Sequence, residues 1–241
     1  MDFLSSVDET ILKEAIKIVE EAQSRGIYLR IMGALAIMLH SMDHAEMFKN
    51  LKRLGSEEKF FTDLDLVGYG KQRGKIRDLM EKEFNFTADR YTLLFYRDRM
   101  IYYHPNNTYY VDIFLDKLCF SHDIDLRKRL ELDFPTITLA DLVLEKLQIH
   151  EINEKDIKDV IILLRAHEIG ESDEKEIVNA KRIASVLADD WGFWYDFKTN
   201  ISKVRHFLKV YANQRMLSEE DVANVEKKIA EIMNYVDIEP K

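Results

Sequence analysis

Residues 60–70 read FFTDLDLVGYG. Apolar residues alternate with Asp63 and Asp65 through Phe61, Leu64 and Leu66, which predicts a short β-strand. Side chains two apart on a strand share a face, so Asp63 and Asp65 project together while Leu64 and Leu66 point to the core. Two carboxylates held this close repel one another unless a cation sits between them. Hard oxygen ligands of this kind suit Mg²⁺. A lone Asp-x-Asp is also compatible with a polar strand face in water.

Upstream, residues 8–25 carry Ile11, Leu12, Ala15, Ile18, Val19 and Ala22 at helical spacing, and Gly26 ends that helix. IYLRIMG then reads as a strand stopping at Gly33, and ALAIMLHSMDHAEMFKNLKRL as one helix ending near Gly55. A strand, a glycine and a helix start make an anion site, because the first helical N–H groups are free and the dipole favours negative charge. The plainer reading of Gly33 is a tight turn. Downstream, a helix is expected over 71–83. The aromatic and β-branched residues of 84–118 favour strands, with Pro105-Asn106-Asn107 as a hairpin turn. Asp112, in TYYVDIFLD, sits among residues built for a core. A carboxylate there has to be solvated, paired with an arginine or bound to metal, and Asp116 is the next acid on that strand.

After Pro135 the pattern is helical, opened by a Thr138-to-Asp141 capping pair, with a second helix stopping near Gly170 and two or three more over 173–235. The predicted architecture is α+β: strands and helices together over residues 1–130, then an all-helical domain over 131–241.

Composition narrows the function. Lys and Arg number 35 against 44 Asp and Glu, a net charge of −9, which excludes generic electrostatic capture of DNA or RNA. A lone cysteine, Cys119, makes neither an intrachain disulfide nor a cysteine-rich metal site. The N-terminus lacks the early positive charge and cleavage site of a signal peptide, and no apolar run reaches bilayer length. A cytoplasmic location without membrane contact is expected.

Strand, Gly33, helix, Asp63-x-Asp65 on a strand and Asp112 on a later strand together resemble the nucleotidyltransferase fold of the DNA polymerase beta superfamily. LADLVLEKLQIHEINEKDIKDVIILL is similar to the helical segment after the catalytic core in AbiEii-type and related uncharacterised bacterial and archaeal nucleotidyltransferases. The resemblance covers about residues 27–165. It implies a mixed sheet with flanking helices, and a nucleotide-binding, metal-binding transferase that moves a nucleoside monophosphate from an NTP such as ATP onto a hydroxyl of a tRNA, a protein or a small molecule. Two Mg²⁺ ions, with Mn²⁺ as substitute, are implied on Asp63, Asp65 and Asp112. Gly33 and Ala34 are implied at the β- and γ-phosphates. Lys146 is implied as a catalytic and phosphate-binding residue, with Lys155, Asp156 and Asp159 also at the nucleotide. AbiEii-type proteins are toxins with cognate antitoxins, so a toxin–antitoxin pair is implied too. Two features depart from the family: Gly33-Ala34 stands where Gly-Ser or Gly-Gly is usual, and the interval from Gly33 to Asp63 is long. A catalytically silent nucleotide-binding module, or an interaction protein on the same fold, is the alternative.

From spacing alone, Lys146 lies along the edge of the stripe Leu139, Leu142, Val143 and Leu147, snorkelling to water or aimed at a cleft. GYGKQRGKI lacks Walker spacing and the Ser or Thr that motif needs, so its basic residues read as a solvated helix start. Arg127 and Arg129 either neutralise the site or belong to a helix face. His122 reads as a surface-loop residue without a partner histidine, and Trp191, Trp194 and Tyr195 as core.

Overall fold

The computed structural model describes residues 4–55 and 60–238. Part of the long interval from Gly33 to Asp63, residues 56–59, therefore falls outside the described residues. The fold is α+β, with a mixed sheet and a helical C-terminal region. Two compact units emerge. Unit 1 comprises Met1–Ala36, Glu58–Leu118 and Asp125–Ile137, and unit 2 comprises Ile37–Glu57, Cys119–Ile124 and Thr138–Lys241.

Unit 1 is organised by five strands: β1 (Leu29–Ile31), β2 (Leu64–Gly68), β3 (Thr87–Ala88), β4 (Arg99–Tyr103) and β5 (Tyr110–Leu115), in the order β1-β2-β5-β4-β3. β2 and β5 are parallel; the other neighbours are antiparallel. One face carries Leu29, Ile31, Leu64, Leu66, Val111, Ile113, Met100 and Tyr102, all buried. At about 25 cal/mol per Å² of apolar surface, that face supplies much of the unit's cohesion. Helix α1 (Ser6–Ser24) packs on β1 through its buried 3.6-period stripe. Its N-cap is Ser5, and its buried Asp8 accepts hydrogen bonds from the backbone N–H groups of Phe60 and Phe61. The far edge of β1 is covered: Ile31 N–H donates to the Pro135 carbonyl and Ile137 N–H to the Ile31 carbonyl, 2.9 and 3.0 Å. An open edge strand would otherwise invite pairing with other chains.

Several expectations need correction. The single helix predicted over 34–54 is two, α2 (Gly33–His40) and α3 (Ala45–Leu51). They are separated by a 3₁₀ turn over Met42–His44, where Ser41, Asp43 and His44 are poor helix formers. Helix α4 (Arg73–Asp78) continues as a π-helical turn, Leu79–Glu83. Within the predicted strand region lies a helix, α5 (Arg90–Phe95), nucleated by Asp89, whose carboxylate accepts from Thr92 N–H at 2.7 Å. The hairpin about Pro105–Asn107 is present as β4–β5.

Two short strands follow, β6 (Lys117–Cys119) and β7 (Asp123–Asp125). Unit 2 then holds α6 (Leu139–Leu147), α7 (Glu154–Ala166), α8 (Ala180–Asp189), α9 (Trp191–Asn213) and α10 (Glu219–Ile238). Thr138 caps α6 and Asn153 caps α7. This region is helical but not all-helical. β8 (Glu168–Gly170) and β9 (Ile177–Asn179) pair in parallel between α7 and α8, too short to register as a strand pattern. Every residue of α6 is buried, so it is the central helix of unit 2 and not an amphipathic surface helix. Among the described residues no helix is long and apolar enough to cross a membrane.

Candidate functional site

The second face of the unit 1 sheet carries the acids, among buried Val67 and Phe114. Asp65 on β2 is the register partner of Asp112 on β5. Neighbouring strands lie about 4.8 Å apart, so two carboxylates from opposite ends of this segment start side by side on one face. Asp63 lies one residue before β2. Its Oδ2 accepts a hydrogen bond from the Tyr110 hydroxyl at 2.7 Å and its Oδ1 one from Thr62 at 2.9 Å. Tyr110 is two residues before Asp112 on β5, so the strand period puts it on the carboxylate face. Burial first, then the hydrogen bond to Asp63, pushes the Tyr110 phenol up, which keeps it protonated and donating.

Gly33 lies against Asp65. Its φ is +69°, and a Cβ built there would fall 2.8 Å from Asp65 Oδ2. Only glycine takes this conformation and this approach without strain. Met32 N–H donates to the Asp65 carbonyl at 3.0 Å, which ties the turn to β2. Asp65 thus brings negative charge to the N-terminus of α2, where the helix dipole favours it. Ala34, half-buried, is the second residue of that helix.

Asp112 is buried and not alone. Arg99, on β4, donates from Nε to Oδ1 and Oδ2 at 2.9 and 3.1 Å and from its terminal nitrogen to Oδ2. The hydrogen bonds to Asp112 hold the guanidinium pKa above its ordinary value. Sequence counting misses this arginine: counted outward from the Pro105–Asn107 turn, Ile101 would pair with Val111, whereas the observed register pairs Ile101 with Asp112 and so puts Arg99 on the Asp112 face. By donor type, Asp63, Asp65 and Asp112 fit a small hard cation beside a backbone that a Cβ would obstruct. As the side chains stand among the described residues, no group of three or more His, Cys, Asp or Glu is gathered to hold a metal ion.

Lys146, Lys155, Asp156 and Asp159 belong to unit 2. Lys146 neither snorkels nor lies at an exposed edge. It is 6 % exposed, and its Nζ is 3.0 Å from Asp156, 3.2 Å from Asp159 and 3.7 Å from Glu145. Arg53 Nε donates to Asp159 at 2.7 Å, and Asn153 donates to Asp156 at the same distance. Burial opposes the charge on Lys146, but Asp159, Asp156 and Glu145 outweigh it and hold the pKa high. Burial likewise opposes the Asp159 charge, and Arg53 with Lys146 overcomes it. Lys155 is exposed, whereas Lys158 is buried and reaches Glu154 at 2.8 Å.

The remaining candidates sort themselves. Asp116 follows β5 with φ +67° and accepts from Gly70 N–H at 3.0 Å, closing the glycine-containing turn after β2. Arg127 pairs with Asp125 on the surface. His122 has a partner after all: its Nε2 and His150 Nδ1 each lie 2.9 Å from the buried Asp196 carboxylate. Trp191 and Tyr195 are not core. They are 68 % and 52 % exposed and stacked on one another, one turn apart on α9.

No family model matches the sequence, and no curated protein matches it.

Proposed function

We propose that unit 1 is the catalytic core of a nucleotidyltransferase, moving a nucleoside monophosphate from an NTP to a hydroxyl acceptor. The observation that carries this reading is the alignment of Asp65 with Asp112 across parallel strands, with the Gly33 backbone closed against Asp65. Asp63, Asp65 and Asp112 are the residues that would hold Mg²⁺, or Mn²⁺ in its place. A pair of such ions would polarise the acceptor hydroxyl and offset the charge on the leaving pyrophosphate. Asp112 would also help take the hydroxyl proton. The backbone N–H groups at Gly33 and Ala34 would receive β- and γ-phosphate oxygens, as helix N-termini do. Tyr110 orients Asp63 by its hydrogen bond. Lys146, Asp156 and Asp159 satisfy one another and so join α6 to α7, while Lys155 is the exposed lysine of that segment.

One observation favours a second reading, a silent nucleotide-binding module: Arg99 engages both oxygens of Asp112. Two assays separate the readings. Each radiolabelled NTP is incubated with Mg²⁺ and an RNA or protein extract, and pyrophosphate release is followed in parallel. Label transfer with stoichiometric pyrophosphate supports the enzyme. Mg²⁺-dependent nucleotide binding without pyrophosphate supports the silent module.

A further inference from the structure

We propose that Arg99 is a resident counter-ion that a divalent cation must displace from Asp112. This rests on the metal reading above and concerns what Asp112 does before the metal arrives. The Asp112 side chain is 6 % exposed. Left unpaired at that depth, a carboxylate is strongly destabilising, so some cation has to accompany it. Arg99 fills that place with a fork matched to the two carboxylate oxygens. A metal ion on Asp65 and Asp112 and the guanidinium on Asp112 claim the same lone pairs, so the two compete.

The geometry gives Arg99 somewhere to go. Its own side chain is 39 % exposed, so it can leave toward water without crossing the core. Its guanidinium carbon also lies 5.3 Å from the Phe114 ring centroid, within cation–π range, so one favourable contact stays available when the carboxylate is lost. A buried structural ion pair would be closed on both sides; here only the acid is. The exchange is also local. Asp65 faces Asp112 from the parallel neighbour and Arg99 approaches from the antiparallel one, so neither strand pairing need change.

Two experiments on the full chain test this. In the first, the wild-type protein is treated with the arginine reagent phenylglyoxal, with and without Mg²⁺, and Arg99 labelling is read by peptide mass spectrometry. Mg²⁺ is expected to increase it. In the second, Mn²⁺ affinity is measured by electron paramagnetic resonance for the wild type, Arg99→Met and Arg99→Lys. Binding to Arg99→Met should be about tenfold tighter than wild type, with Arg99→Lys between. Should Arg99→Met fail to fold, Arg99→Lys and the labelling decide. Wild-type Mn²⁺ binding with unchanged labelling, or no tightening in the variants, overturns displacement and leaves the metal site standing. Mn²⁺ bound by Arg99→Met alone identifies a permanent counter-ion and also overturns it. No Mn²⁺ binding by any form overturns both the metal reading and this one.

Discussion

At the scale of single residues, charge placement decides what each candidate can do. Lys146 is enclosed by three carboxylates, which are its ion-pair partners in the fold. Replacing it with Met should therefore lower stability by about 3–5 kcal/mol, the cost of breaking a buried pair from one side. Urea unfolding measures this. An unchanged midpoint would show that the cluster does not hold the unit. Gly33→Ala should also destabilise, by about 1–2 kcal/mol for the left-handed backbone alone, with more from the contact to Asp65. The same titration reads it, and a neutral result would mean that the turn relaxes freely. Asp63, Asp65 and Asp112 were legible because acids interrupt strands otherwise built for a core. Arg53 was not: in KNLKRLG it is one basic residue among three within five positions, and nothing local says that it reaches Asp159. The buried depth of Lys146 was hidden for a related reason. An apolar stripe marks the face that must be covered, but a helix covered on every side shows the same stripe.

At the scale of elements, periodicity located most helices and strands, and local capping decided the exceptions. The Asp89 cap turned an aromatic, strand-favouring stretch into α5, and the 3₁₀ turn at Met42–His44 divided a helix that composition alone would continue. Strand pairing was harder to foresee. The parallel union of β2 with β5, which brings Asp65 beside Asp112, depends on a connection of more than forty residues that no local pattern reveals. The end of α7 carries a testable electrostatic consequence. His167, its C-cap, is buried, and that burial pulls its pKa down to about 4, against opposition from Glu176 and with help from His40 and Lys228. A base depressed in the folded state binds fewer protons there than when unfolded, so its contribution is fully present above about pH 6.5 and lost as pH falls toward 4. The melting temperature should drop over that window, and His167→Gln should flatten the drop. An identical pH profile in the variant would remove His167 as its source.

For the whole molecule, the acidic balance sets which partners are admissible. With a net charge of −9, binding to duplex DNA at physiological salt should be undetectable by fluorescence anisotropy, since the salt-dependent attraction that drives such binding scales with the phosphates neutralised. Tight, salt-sensitive duplex binding would contradict that. The central claim is that the carboxylate face of the unit 1 sheet, with Gly33 against it, binds a nucleotide through a divalent cation. Equilibrium dialysis of radiolabelled NTP tests it most directly, with Mg²⁺ and with EDTA, on the wild type and on Asp65→Asn, whose isosteric amide keeps the packing and removes the charge. Binding by the wild type is expected only with Mg²⁺, with a loss of at least about tenfold in Asp65→Asn at a nearly unchanged melting temperature. Nucleotide binding indifferent to EDTA, equal in Asp65→Asn, or absent altogether would contradict it.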